Sequence, residues 1–358
     1  MTRPSDHGIL RDGLAFSLLP RTGPAAFRAG VERCGSAAAA FRELASGSDA
    51  SVAECAADEL IARTRALGAA IVLLGERGYP GSLLELPQPP SRLFALGSLS
   101  LLERRCVGIV GTRHSSTDGE RVAYQMAGAL ARAGAVVVSG MAFGIDSAAH
   151  RGALDAGGGT IAVLGGGADI PYPPSHAALH QRIIREGLVL SEAAIGTRPG
   201  KGAFPKRNRI IAGLSEPLIV IEAGARSGAL ITSQQALELG RTVAAVPGPI
   251  DSPRHVGSNR LLADGAMFIG SIDDALSIAG VGAPAKTVER ITAPEVLTVD
   301  DRAHAKILHA VRTGATDIED LARSTSLAPR DFANALVMLE LRGQLVITDG
   351  ATVSLGSS

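Results

Sequence analysis

Tryptophan is absent from this chain, and aromatic residues make up only 3% of it. A core so poor in large rings is built from Ala, Val, Ile and Leu, which suits helices layered on a sheet better than a β-sandwich. Cysteine is scarce as well: Cys34, Cys55 and Cys106 are odd in number, far apart and never in a CxxC spacing. They read as small hydrophobes in a reducing compartment, not as disulfides or metal ligands. The histidines show no metal-ligand spacing either, so no metal is expected. Net charge is lacking, with 35 basic residues against 35 acidic ones. That excludes a protein that coats nucleic acid by bulk electrostatics and leaves only a local patch for such binding. No apolar run approaches the length that spans a bilayer, and the polar stretch 1–13 carries no secretory pattern. The expected setting is cytoplasmic, with no membrane partner.

What the chain does have is length and apolar content. Its 358 residues exceed one average domain, and 46% of them are hydrophobic. Residues 1–69 read as a small helical domain of the SAM or helix-hairpin-helix kind, broken at Pro20-Arg-Thr-Gly-Pro24. Ala70–Leu74 is a candidate strand, and the Pro-rich stretch Leu86–Leu96 reads as an extended connection. From Cys106 onward, short apolar strands alternate with helical stretches: Val107–Val110, Ala135–Val138, Thr160–Leu164, Leu188–Leu190, Pro217–Ile221, Val243–Val246 and Ala266–Ile269. Residues 70–280 are therefore expected to form an α/β, Rossmann-like, doubly wound and mostly parallel sheet covered on both faces. Residues 281–300 read as a linker. In 301–358, three helical stretches precede two short strands around Asp349-Gly350, which is the winged-helix layout.

One local charge excess stands out. Between Glu192 and Glu216 there is no acid, while Arg198, Lys201, Lys206, Arg207 and Arg209 all fall there, around Phe204. Read as a loop, this stretch is either a solvated basic rim with Phe204 tucked into the core, or a single-strand binding edge. Gly-rich turns follow several of the expected strands: Gly111-Thr-Arg113, Gly140–Gly144, Gly165–Gly167 and Ala223–Gly228. Each is an ordinary βα turn or a place where backbone N–H groups approach phosphate. No complete GxGxxG or Walker lysine motif occurs, so no NAD, ATP or other cofactor is expected. Arg113 is a fork for one phosphate or the partner of Glu120 or Asp118. Lys201 is a second phosphate ligand or a solvated lysine. Asp146 and His150, spaced i, i+4, are a dyad or buried polar contacts that fix a helix. Glu222 is an acid/base, a cap for the Ser227-led helix, or the partner of Arg226.

Val107-Gly-Ile-Val-Gly-Thr-Arg113, Ser139-Gly-Met-Ala-Phe-Gly-Ile-Asp146 and Phe204-Pro-Lys-Arg-Asn-Arg-Ile-Ile-Ala-Gly-Leu-Ser215 together resemble the DprA/Smf (DNA-processing protein A) family. Tyr172-Pro173, Leu190-Ser-Glu192, Ser227-Gly-Ala-Leu-Ile-Thr232 and Val246-Pro-Gly248 follow in the family's order across residues 70–280. The resemblance implies a non-enzymatic binder of single-stranded DNA that dimerises, protects incoming strands during natural transformation and loads the RecA recombinase onto them. By the same resemblance, Gly111, Thr112, Arg113, Lys201 and Phe204 match positions that hold phosphates and stack a base. Asn208 and Arg209 lie in the same motif. His255–Met267 is similar to the family's dimer-forming end, so a homodimer is expected. Thr112 stands where serine is common and keeps the hydroxyl. Arg21-Thr-Gly23 departs from the family's N-terminal hairpin, which weakens a DNA-binding role for that domain. The alternative from another class is a phosphoribohydrolase acting on nucleoside monophosphates, with Arg113 on phosphate and Glu222 as acid/base. Against it, Ala223-Gly-Ala-Arg-Ser-Gly228 departs from the Gly-Gly-x-Gly-Thr motif of such enzymes. A third reading is an adaptor whose main task is contact with a recombinase.

Overall fold

The computed structural model describes residues 6–200, 202–282, 301–348 and 352–355. The chain divides into two compact units, residues 1–283 and 284–358.

The first unit opens with α1 (Asp6–Leu18), α2 (Pro24–Cys34), α3 (Ala37–Leu44) and α4 (Gly47–Ala66). The breaks follow the local chemistry: Pro24 starts α2, Gly35 ends it at φ 82°, and the Ser36 hydroxyl accepts the Ala39 N–H at 3.1 Å to cap α3. These helices do not close on a core of their own. Leu14, Phe16, Phe27, Phe41 and Ile61 share one apolar cluster with Leu73, Phe94 and Val189 of the sheet. Arg92 Nη1 adds a polar tie, donating to the Ser17 carbonyl at 2.8 Å.

The sheet itself takes β1 (Ala70–Leu73), β2 (Arg92–Gly97), β3 (Cys106–Val110), α5 (Thr117–Arg132), β4 (Val136–Ser139), α6 (Ile145–Asp155), β5 (Thr160–Leu164), α7 (Ala177–Glu186) and β6 (Leu188–Ser191). It continues with α8 (Ala203–Leu214), β7 (Leu218–Val220), α9 (Gly228–Glu238), β8 (Val243–Ala245), α10 (Val256–Ala263), β9 (Met267–Phe268) and α11 (Ile272–Ala279). Strand order is β1-β2-β6-β5-β4-β3-β7-β8-β9. β3 to β9 run parallel, whereas β2 pairs antiparallel with both β1 and β6. The central strands are buried on both faces, which is why they read as unbroken apolar runs.

Two expectations change. The stretch Leu86–Leu96 is not wholly an extended connection, because its last residues enter β2. The prolines stop at Pro90, and the buried run Leu93–Leu96 finds partners on both sides. The basic stretch read as a loop is largely α8. Pro205 sits in the first helical turn, where no intrahelical N–H is required, and Gly202 precedes the helix in the left-handed region at φ 83°. Ile210, Ile211 and Leu214 then bury the far half of α8 against the sheet.

Asp146 and His150 do not bond each other. The His150 ring lies 2.7 Å from Thr160 Oγ1, whose only proton goes to the Val137 carbonyl at 2.8 Å. His150 Nδ1–H is therefore the donor, and Nε2 is buried without a partner among the described residues. Burial first, and neighbouring cations after it, pull the imidazole down to about 3, so it is neutral and structural.

In the second unit, α12 (Asp301–Arg312), α13 (Ile318–Thr325) and α14 (Pro329–Leu341) precede the antiparallel pair β10 (Leu345–Thr348) and β11 (Thr352–Leu355). Ile307, Leu321, Phe332, Leu336 and Leu339 form its core. The Asp349-Gly350 turn, and all but the first two residues of the expected linker 281–300, lie outside the described residues.

Candidate nucleic-acid interface

From β3 the chain winds through β4, β5 and β6 to one side, then returns to the other side of β3 as β7, β8 and β9. The turns after β3 and β7 therefore part at the carboxyl edge, where a crevice forms in sheets of this kind. A cavity of about 470 Å³ opens there. Gly111, Thr112 and Arg113 line it from the turn after β3, Asn208 from α8, and Arg226, Ser227 and Gly228 from the turn after β7. The turn at Gly111 lies so close to α6 that a Cβ would stand 2.5 Å from the Ile145 side chain. The Thr112 N–H is fixed on the Glu222 carbonyl at 2.7 Å, and its hydroxyl accepts the His114 N–H at 3.2 Å.

Arg113 takes neither of the carboxylates weighed for it. Glu120 accepts from Ser115 Oγ at 2.8 Å, and Asp118 pairs with Arg121 at 3.1 Å. The exposed Arg113 guanidinium instead lies 5.1 Å from the centre of the half-buried Phe204 ring, within cation–π range. Tyr172 meets the same ring at 5.1 Å and 40°. A second, smaller pocket of about 110 Å³ is lined by Arg113, Phe143, Tyr172, Pro173 and Phe204. Arg113 and Arg207 border both openings.

Arg207 is not part of a solvated rim. It is 6% exposed, and its Nη1 donates to the carbonyls of Gly140 (2.7 Å) and Val163. A Cβ at 140 would run into the guanidinium, so a larger residue there would have to displace Arg207. Desolvation pushes Arg207 down to about 10; nearby Asp146 opposes this, and Arg113 adds to it. Burial pushes the Asp146 carboxyl up, with Arg207 opposing most strongly. Asp146 Oδ2 accepts the N–H groups of Gly140 (3.2 Å) and Ala142 (3.3 Å), which fixes the turn after β4.

Of the residues expected at the site, Gly111, Thr112, Arg113 and Asn208 meet at the larger cavity, while Arg113 and Phe204 meet at the smaller. Arg209 is held elsewhere. Its Nη2 pairs with Glu192 at 2.7 Å, and Lys206 Nζ approaches the same carboxylate at 3.6 Å. Lys201 lies outside the described residues. Glu222 caps neither the Ser227-led helix nor Arg226. Its carboxylate is fully buried and accepts both the N–H (3.1 Å) and hydroxyl (3.0 Å) of Ser116, the residue that caps α5. Three residues of the site were not expected in these roles: Arg207, Phe143 and Tyr172. Their signal in the sequence is slight. Phe143 and Tyr172 are two of 11 aromatic residues (8 Phe and 3 Tyr), and both fall in Gly- or Pro-rich turns after strands.

Among the described residues, no helix is long and apolar enough to cross a membrane. The family model for DNA recombination-mediator protein A matches residues 70–280, and that for the DprA winged helix domain matches residues 292–351. A putative DNA processing protein DprA of Mycobacterium tuberculosis is 42% identical over 265 residues, covering 73% of this chain and 68% of the relative. Protein Smf of Synechocystis is 37% identical over 298 residues, covering 74% and 75%. The X-ray structure of DNA processing protein A from Streptococcus pneumoniae superposes with a TM-score of 0.63 at 34% identity, over 76% of this chain and 95% of that one. DNA processing protein A from Helicobacter pylori, whose structure was described for its single-stranded DNA binding mode, superposes with a TM-score of 0.54 at 30% identity, over 58% and 94%. An α/β sheet with glycine turns gathered at its carboxyl edge, a three-helix unit with a strand pair, and matches across both units lead to one assignment: the chain belongs to the DNA recombination-mediator protein A family.

Proposed function

We propose that this protein binds single-stranded DNA along the carboxyl edge of its sheet. Gly111, Thr112, Arg113, Lys201 and Asn208 hold phosphates there, and Phe204 stacks a base. The observation that carries this reading is the placement of Arg113 over Phe204, an exposed cation and an aromatic face on one rim. A phosphate chain and an unpaired base need those two features side by side. That the Helicobacter pylori protein is described as binding single-stranded DNA supports the same class of ligand. Arg209, paired to Glu192, acts from behind by fixing α8.

The protein then protects bound strands and loads the RecA recombinase onto them, without catalysis of its own. Burial of Glu222 against Ser116 supports the non-enzymatic reading over nucleotide hydrolysis. A homodimer forms at the β9 edge, where Met267 and Phe268 are 48% and 62% exposed. Residues 70–280 are the DNA-binding domain, flanked by the helices of 1–69 and the winged-helix domain of 301–358. In the latter, α14 exposes Val337 and Leu341 between cancelling charges, which supports protein contact more than groove reading.

A salt titration tests the binding claim. Log affinity for an oligothymidylate falls with log salt by about 0.7 for each phosphate neutralised, and Arg113→Ala makes the slope shallower by about that amount. A flat salt dependence removes the phosphate contacts from the account.

A further inference from the structure

The turn after β4 carries a ring that the binding reading leaves unused. Phe143 is 49% exposed and lines the same small pocket as Arg113, Tyr172 and Phe204. It is not a side chain on a loose loop. Asp146 holds the N–H groups of Gly140 and Ala142, Arg207 donates to the Gly140 carbonyl, and His176 Nδ1–H donates to the Met141 carbonyl at 3.1 Å. Met141 stands in the left-handed region at φ 56° with its side chain fully buried, and Gly144 follows at φ 73°. A non-glycine residue held at positive φ records a backbone set by its surroundings. That backbone buries Met141 and leaves Phe143, two residues on, at the rim. There His176 holds its ring in an edge contact, 4.9 Å between centres at 69°.

We propose that Phe143 is a second base-stacking residue, so that the site takes two bases of one strand, one against Phe204 and the next against Phe143. Tyr172 stands against Phe204 and lines the same pocket as Phe143. Rings fixed before binding lose little freedom when a base arrives, and stacking accepts any base, as sequence-tolerant binding requires. The inference rests on the single-strand reading above and adds to it a site size of at least two nucleotides.

The test compares a short oligothymidylate with a wholly abasic strand of the same length, using the full chain. Phe143→Ala is expected to weaken oligothymidylate binding roughly 5- to 150-fold while changing affinity for the abasic strand little. Phe143→Trp, which keeps a stacking face, is expected to restore it. Equal losses on both strands would mean that the substitution only disturbs the turn, and would overturn the proposal. So would unchanged oligothymidylate affinity, or failure of the Trp variant to rescue. Failure of the underlying reading looks different: the wild-type protein would then bind the abasic strand as tightly as oligothymidylate, and Phe204→Ala would be silent too.

Discussion

Replacing Arg207 by methionine, which keeps much of the side-chain volume but removes the charge, is expected to destabilise the first unit by about 3–5 kcal/mol. The guanidinium is buried and donates to carbonyls at the ends of two neighbouring strands, Gly140 after β4 and Val163 in β5. It is also the strongest influence opposing the desolvation of Asp146, itself buried beside the same turn. Methionine offers no donor, so two buried carbonyls lose a partner and a buried carboxyl loses its compensating cation. Each of those losses is costly because a buried polar group left unpaired keeps its desolvation penalty. A thermal unfolding midpoint lowered on the order of 10 °C is expected. A variant that unfolds within a degree or two of wild type would show that Arg207 is dispensable to the fold. Lysine at this position is expected to recover only part of the loss, since an ammonium cannot reproduce the planar fork.

Phe204→Ala is expected to weaken single-strand binding by about 1–3 kcal/mol, the contribution of one stacked base. Arg113→Ala should cost a comparable amount through its lost phosphate contact. The geometry adds a sharper expectation for the pair. Arg113 rests on the Phe204 ring at 5.1 Å, so each side chain helps to hold the other. Removing both is therefore expected to cost less than the sum of the single losses, with a coupling of about 0.5 kcal/mol or more. Strict additivity in a double-mutant cycle would mean that ring and guanidinium act on separate parts of the strand. Both substitutions lie at the rim and should leave the unfolding midpoint nearly unchanged, in contrast to Arg207→Met.

That contrast also marks where the sequence was readable. The parallel core was legible because its strands are mostly apolar runs, several of them followed by a glycine-rich turn of the kind a βα unit uses. Arg113 and Phe204, which meet at the smaller pocket, were singled out through the resemblance, and Arg113 also through its place after β3. Arg207 was not. In a run of cations it looks like one more solvated charge, and only the approach of Gly140, sixty-seven residues away in sequence, turns it into a buried clamp. α8 was hidden by Pro205 and Gly202, which mark a loop when read alone and a helix start once Ile210, Ile211 and Leu214 are seen to face the sheet. β2 was hidden by the prolines before it. Phe143 escaped because an isolated aromatic in a turn is ordinary until three other side chains are found around the same pocket.

On the proposed reading, this edge recognises phosphate and an unpaired base together. Displacement of a labelled oligothymidylate by unlabelled competitors tests it most directly, with one single strand and one blunt duplex of equal length at the same salt. Both competitors offer phosphates, but only the single strand can turn a base onto Phe204. The single strand is expected to displace the label at concentrations where the duplex does not, and Phe204→Ala is expected to narrow the gap. Equal displacement by both, with no change in the variant, would contradict it.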